Sequence, residues 1–85
     1  MISNAITVTT SPTLICAADN KWRTIYIHNG GGQKIYVGNS NVTTSIGFHI
    51  GNGESQSIEI PLGETLHAVV ASNTNIINVL TPDSD

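Results

Sequence analysis

Apolar and polar positions alternate along most of this chain, in short runs broken by Gly, Pro, Asn and Ser. "AITVTT" (5–10) sets Ile6 and Val8 against threonines, and "TLICAA" (13–18) follows Ser11-Pro12. "WRTIYIHN" (22–29), "QKIYVG" (33–38), "IGFHI" (46–50), "ESQSIEI" (54–60), "TLHAVVA" (65–71) and "NIINVLT" (75–81) continue the series. Period-two alternation predicts half-buried strands, and turn signals every 8–12 residues are the spacing of a sandwich or barrel. No stretch carries the 3.6-residue period of a helix. The expected fold is an all-β antiparallel sandwich of about eight short strands, most simply a jelly roll. The expected core is Ile25, Ile27, Ile35, Val37, Phe48, Ile58, Ile60, Leu66, Ala68, Val70 and Val79, with Ile46 and Ile50 also inward.

The segment "HNGGGQKIYVGNS" (28–40) needs a separate decision, because glycines followed by a lysine can cradle phosphate. A phosphate loop requires G-x-x-x-x-G-K-[ST] opening a helix; here Ile35 follows Lys34 and a strand begins. A dinucleotide fingerprint fails as well, since Ile35 stands where its third glycine belongs. A hairpin bend explains more. With Gly30–Gly32 as the loop, Ile27 faces Ile35 and Ile25 faces Val37 on one side. The other side then pairs Tyr26 with Tyr36 and His28 with Lys34.

Composition supports the strands. Of 85 residues, 27 are Thr, Ser or Asn, while only 11% are charged. Ile, Val and Thr supply a third of the chain, and β-branched side chains favour extended backbone. A chain this short forms one domain over residues 1–85, with 1–10 as an extended arm or first strand and 82–85 as a frayed tail. It buries only about 60–65% of its unfolded surface, which leaves it marginal on its own. Cys16 is the single cysteine, so no internal disulfide adds stability; it reads as a small buried hydrophobe without a basic neighbour nearby in sequence. Self-association is the expected remedy.

A net charge of −3 lacks the basic footprint of a nucleic-acid binder. Lys21, Arg23 and Lys34 are all the basic residues, and Asp19 is the one acid before Glu54, so the first half is positive and the second negative. No apolar run reaches the length of a membrane helix, and "MISNAITVTTSPTLIC" lacks the basic start and unbroken apolar core of a secretory leader. Synthesis in a cytoplasm is expected.

Candidate chemistry is sparse. His28, His49 and His67 fall on three strands without metal-ligand spacing. Glu59 alternates with Ile58 and Ile60 and points outward, while Glu54 and Glu64 sit at turns, so no carboxylate pair faces a cleft. No serine lies in a nucleophile elbow. The sequon Asn41-Val42-Thr43 has no secretory context. Enzymatic activity, a cofactor and a bound metal are therefore not expected. Trp22, Tyr26 and Tyr36 form a candidate aromatic patch, which suits a protein interface or a sugar more than a nucleic acid. Ile2, Ile6, Trp22, Tyr26, Tyr36 and His49 are the candidate interface residues.

Over residues 7–80 the chain resembles a family of small bacteriophage virion proteins and domains. The matching residues are Thr9, Thr13, Leu14 and Ile15; Arg23, Ile25, Ile27 and Asn29; Tyr36, Val37 and Gly38; Val42 and Thr43; Gly47 and Phe48; and Gly53, Glu54 and Ser55. These positions encode strands and turns and carry no catalytic set. The resemblance implies a jelly-roll or sandwich module of the virion, such as a capsid decoration (cement) protein on the head surface. It further implies a homotrimer contacting the major capsid protein. A tail or baseplate component, or a glycan-binding module, is the alternative.

Overall fold

Eight strands account for nearly all the apolar alternation: β1 (Ile2–Val8), β2 (Thr13–Cys16), β3 (Arg23–Asn29), β4 (Ile35–Gly38), β5 (Phe48–Ile50), β6 (Glu54–Ile60), β7 (Leu66–Val69) and β8 (Asn75–Thr81). The computed structural model describes residues 1–82. Two four-stranded antiparallel sheets face each other, a front sheet ordered β1-β8-β3-β6 and a back sheet ordered β2-β7-β4-β5. Strands pair as nested partners, β1 with β8, β2 with β7, β3 with β6 and β4 with β5. The chain is thus one long hairpin rolled up on itself, the jelly-roll arrangement. Residues 2–8 are a strand of the front sheet in continuous register with β8, not a free arm. Of the expected tail, Pro82 is half-buried beside Asn4 and Arg23, and 83–85 lie outside the described residues.

The hairpin expected around the glycines does not form. β3 bonds β6 and β8 in the front sheet, whereas β4 bonds β7 and β5 in the back sheet. Gly30–Gly32 therefore carry the chain across the sandwich. Ile25, Ile27, Ile35 and Val37 are all buried, but they are divided between the two inner faces. Alternation told which side of each strand is apolar; it did not tell which strand lies alongside. Tyr26 and Tyr36 consequently point to opposite outer faces.

Val8, Ile15, Cys16, Ile25, Ile27, Ile35, Val37, Ile50, Ile60, Leu66, Ala68, Val70, Ile77 and Val79 make one contiguous core, with Ile6 and Ile58 packed against it. Two expected inward residues are outside it. Phe48 is 60% exposed and Ile46 is 71% exposed. Phe48 opens a three-residue edge strand, and at that margin no second layer covers its ring; Ile46 lies in the β4–β5 connection and not in a strand.

That connection builds a second, smaller apolar contact. Val42 and Val69 are buried yet separate from the main core. Val69 lies opposite Tyr36 on the back sheet's outer face, and the 39–47 segment folds Val42 down onto that face. Two glycines make the space. A Cβ at Gly38 would lie 2.9 Å from Val42 Cγ2, and one at Gly47 would lie 2.6 Å from Tyr36 Cβ. Trimming Val42 to alanine removes two methyl groups from this contact. It is expected to cost about 1.5 kcal/mol, read as a lower midpoint in urea unfolding with an unchanged slope.

Candidate functional site

The front sheet presents its outer face with little cover. Register lines up two rows of side chains across the four strands. Ser3, Leu80, Tyr26 and Ser57 form one row; Ala5, Asn78, His28 and Ser55 form the next. Because Ser3, Ala5 and Ser55 are small, the face is hollowed into an open groove of about 500 Å³. Tyr26 is 48% exposed along it, with half-buried Leu80 alongside.

His28 has a fixed place in this groove. Its Nδ1 lies 2.8 Å from Ser55 Oγ across the β3–β6 pair. On the other side Gly30 leaves room, since a Cβ there would come within 3.2 Å of Nε2. A serine hydroxyl beside an imidazole is the beginning of a nucleophile–base pair. Here no carboxylate hydrogen-bonds the ring among the described residues, and both side chains are open to water. The pair has the character of a cross-strand hydrogen bond. None of the groove's lining residues carries a carboxylate, ammonium or guanidinium group, so the surface suits a neutral polar or apolar contact.

The expected interface residues are scattered by the fold. Ile2 is exposed on β1, while Ile6 on the same strand is partly buried against the core and offers little free surface. Trp22 is 63% exposed just before β3. It shares one end of the sandwich with Met1, Ile2 and Leu62, all exposed, because Ile2 pairs with Thr81 and Arg23 pairs with Ile60. Tyr36 and His49 face outward on the back sheet, their ring centroids 6.4 Å apart in an edge-on contact. The aromatic patch read from sequence is therefore three separate features.

The histidines do not converge. His28 is on the front face, and His49 and His67 are on the back sheet's β5 and β7. Among the described residues no group of three His, Cys, Asp or Glu side chains is placed to hold a metal ion.

Sequence reasoning missed two polar residues that organise the loops. Arg23 Nη1 donates to Ala17 O and, at 3.1 Å, to Cys16 Sγ. Its Nη2 reaches Glu64 O at 3.2 Å and its Nε reaches Lys21 O at 3.2 Å. Cys16 is buried as expected, but it does have a basic neighbour, supplied by β3 and not by adjacent sequence. At the opposite end Asn29, 0% exposed, donates from Nδ2 to Gln33 O at 2.8 Å and to Ile50 O at 2.9 Å. Its Oδ1 accepts from Asn75 Nδ2 at 2.8 Å and, more weakly, from Gly31 N–H at 3.4 Å. Extending the odd-numbered parity of Ile25 and Ile27 in both directions is the signal that points to Arg23 and Asn29. Comparison with protein-family models, with curated proteins and with solved structures gives no significant match.

Proposed function

We propose that this protein is a structural component of a bacteriophage particle, a head decoration (cement) protein that binds across neighbouring major capsid subunits and stiffens the shell. The observation that carries this reading is the surface. Among the described residues, Met1, Ile2, Leu14, Trp22, Tyr26, Ile46, Phe48, Leu62 and Ile76 are large apolar side chains left exposed on a small domain. Four of these, Met1, Ile2, Trp22 and Leu62, gather at one end of the sandwich, and apolar side chains clustered in this way are interface material. The likeness of residues 7–80 to virion modules supplies the kind of partner, and a trimer is the assembly that likeness implies. Binding only the assembled shell stabilises it by mass action, with many weak contacts adding up over the lattice. No catalytic role is assigned.

A second reading has a specific observation behind it. The neutral groove beside Tyr26, with Asn78, His28 and Ser55 as hydrogen-bonding groups, has the chemistry to stack and bind a sugar ring. Copy number in purified particles separates the readings. Decoration predicts a stoichiometry comparable to the major capsid protein; a few copies per particle place the chain in the tail. Binding of neutral glycans by the isolated protein, lost in Tyr26→Ala, favours the ligand module.

A further inference from the structure

The two sheets have four edges, and the sequence guards them unequally. A strand edge exposes unpaired N–H and C=O groups, so proteins blunt it with short length, bulges, proline or charge. β5 is three residues long. β2 has four residues, a register shift between Leu14 and Cys16, and Pro12 just before it. β6 is long, but it carries Glu54 and Glu59. β1 has none of these devices. It runs seven residues, Ile2–Val8, in unbroken register with β8, and contains no proline and no charged side chain. From Ile2 to Ala5 every residue is exposed.

We propose that the free edge of β1 is an assembly surface, and that its occupant is β1 of a second copy, paired antiparallel about a twofold axis at Ala5. The strand's own alternation and lack of charge suit this occupant. In an antiparallel pair, facing residues point to the same side of the sheet, so partners must share parity for the two cores to stay on one side. Any antiparallel self-pairing about a residue satisfies this, and centring on Ala5, the midpoint of β1, pairs all seven residues of the strand. Ile2 faces Val8 of the second copy, Asn4 faces Ile6, Ser3 faces Thr7, and Ala5 faces Ala5. Inward positions meet inward positions, small outward positions meet small ones, and no charge meets another. The two front sheets then join into one of eight strands, a width that sheets of this type sustain. An isologous contact of this kind uses up both β1 edges and leaves at the ends of the joined sheet only the β6 edges, which carry Glu54 and Glu59. The inference rests on the fold alone; it sets a twofold pair where the virion resemblance implies a trimer, and it leaves the placement on a particle open.

Sedimentation or light scattering from about 1 to 100 µM tests it, since an edge contact with modest side-chain burial dissociates in roughly the micromolar range. The wild-type mass is expected to rise to twice the 9.0 kDa of one chain. Ala5→Lys puts two ammonium groups face to face at the axis and is expected to weaken the dimer at least roughly tenfold. Ser57→Lys, an exposed change on the opposite edge strand, is expected to leave it intact, and far-UV circular dichroism verifies that both variants fold. Ala5→Cys is expected to cross-link between chains on mild oxidation, and Ser57→Cys is not. A monomer throughout this range, or a dimer or trimer whose mass ignores Ala5→Lys, overturns the proposal. Neither result bears on copy number in particles, so the two readings fail separately.

Discussion

Replacing Asn29 with alanine is expected to lower the melting temperature by about 12–24 °C, more than the loss of a similar volume of apolar side chain explains. The substitution leaves the buried carbonyl Ile50 O and the part-buried carbonyl Gln33 O without their amide donor, and removes the acceptor of Asn75 Nδ2. Each buried group left without a partner costs about 1–3 kcal/mol, so the two buried groups and the part-buried one together cost about 3 kcal/mol. In a domain of this size 1 kcal/mol moves the midpoint by roughly 4–8 °C. Against a total stability of about 5–15 kcal/mol this is a large fraction. Asn29→Leu, which fills the space without restoring any hydrogen bond, is expected to be as damaging as Asn29→Ala; rescue by leucine would show that volume and not polarity is at stake.

The same network yields an ordering. Asn75 is equally buried, yet its Oδ1 has no hydrogen-bond partner among the described residues. It is wedged over Gly31, where an added Cβ would lie 2.1 Å from Oδ1 and 2.8 Å from Ile76 O. Asn75→Ala therefore removes an unpaired oxygen along with a single hydrogen bond, and its cost is expected to be smaller, about 1 kcal/mol. Thermal unfolding of the two variants side by side checks this. A larger loss at Asn75 than at Asn29 would reverse the assignment of Asn29 as the centre of the network. Gly31→Ala, which must push both the amide and a backbone carbonyl, is expected to fall between them.

Strand positions were legible in this chain because burial on one face imposes a period of two, and Gly, Pro and Asn punctuate it. Expected and observed limits coincide for β6 and β8 and differ by a few residues elsewhere. Sheet membership was not legible. "IYIHNGGGQKIYV" satisfies a local hairpin and a crossing between sheets equally well in its apolar pattern. What decides between them is distant: β6 and β8 occupy both sides of β3, leaving β4 no place beside it. The Phe48 error has the same origin, since parity gives direction while exposure depends on whether another layer reaches that margin. The residues behind the virion resemblance mostly do structural jobs in this fold. Thr13 Oγ1 accepts from Thr9 N–H at 3.3 Å in the β1–β2 turn, Glu54 Oε1 accepts from Gly51 N–H at 2.7 Å, and Gly53 takes a positive φ of 85°. Such positions specify a scaffold. The groove beside Tyr26 was half-read: its aromatic was singled out, but its partners come from β1, β6 and β8, whose adjacency only the topology supplies.

Arg23 provides the second large effect. Its guanidinium joins the end of β2, the β2–β3 loop and the β6–β7 loop through one rigid fork. Gly63 N–H to Asp19 O, at 2.8 Å, is the neighbouring backbone link between those two loops. Charge-assisted hydrogen bonds are worth about 1.5–3 kcal/mol each when dry. Arg23 is half-buried, so solvent reduces that, and Arg23→Ala is expected to cost about 2 kcal/mol in all, a midpoint shift of roughly 8–16 °C. Lysine at this position keeps the charge but has one compact donor group on a flexible stem, which cannot span acceptors on separate loops. Arg23→Lys is therefore expected to recover less than half of the loss. A second readout locates the effect. With the guanidinium gone, Cys16 loses the donor at its Sγ and the loops above it loosen, so a thiol reagent is expected to reach Cys16 faster in Arg23→Ala than in the wild type. The gain should exceed that of Val42→Ala, whose side chain packs on the outer face of the back sheet, away from Cys16. Full stability in Arg23→Lys, or unchanged thiol reactivity in Arg23→Ala, would mean that a point charge or the backbone alone holds this end of the sandwich together.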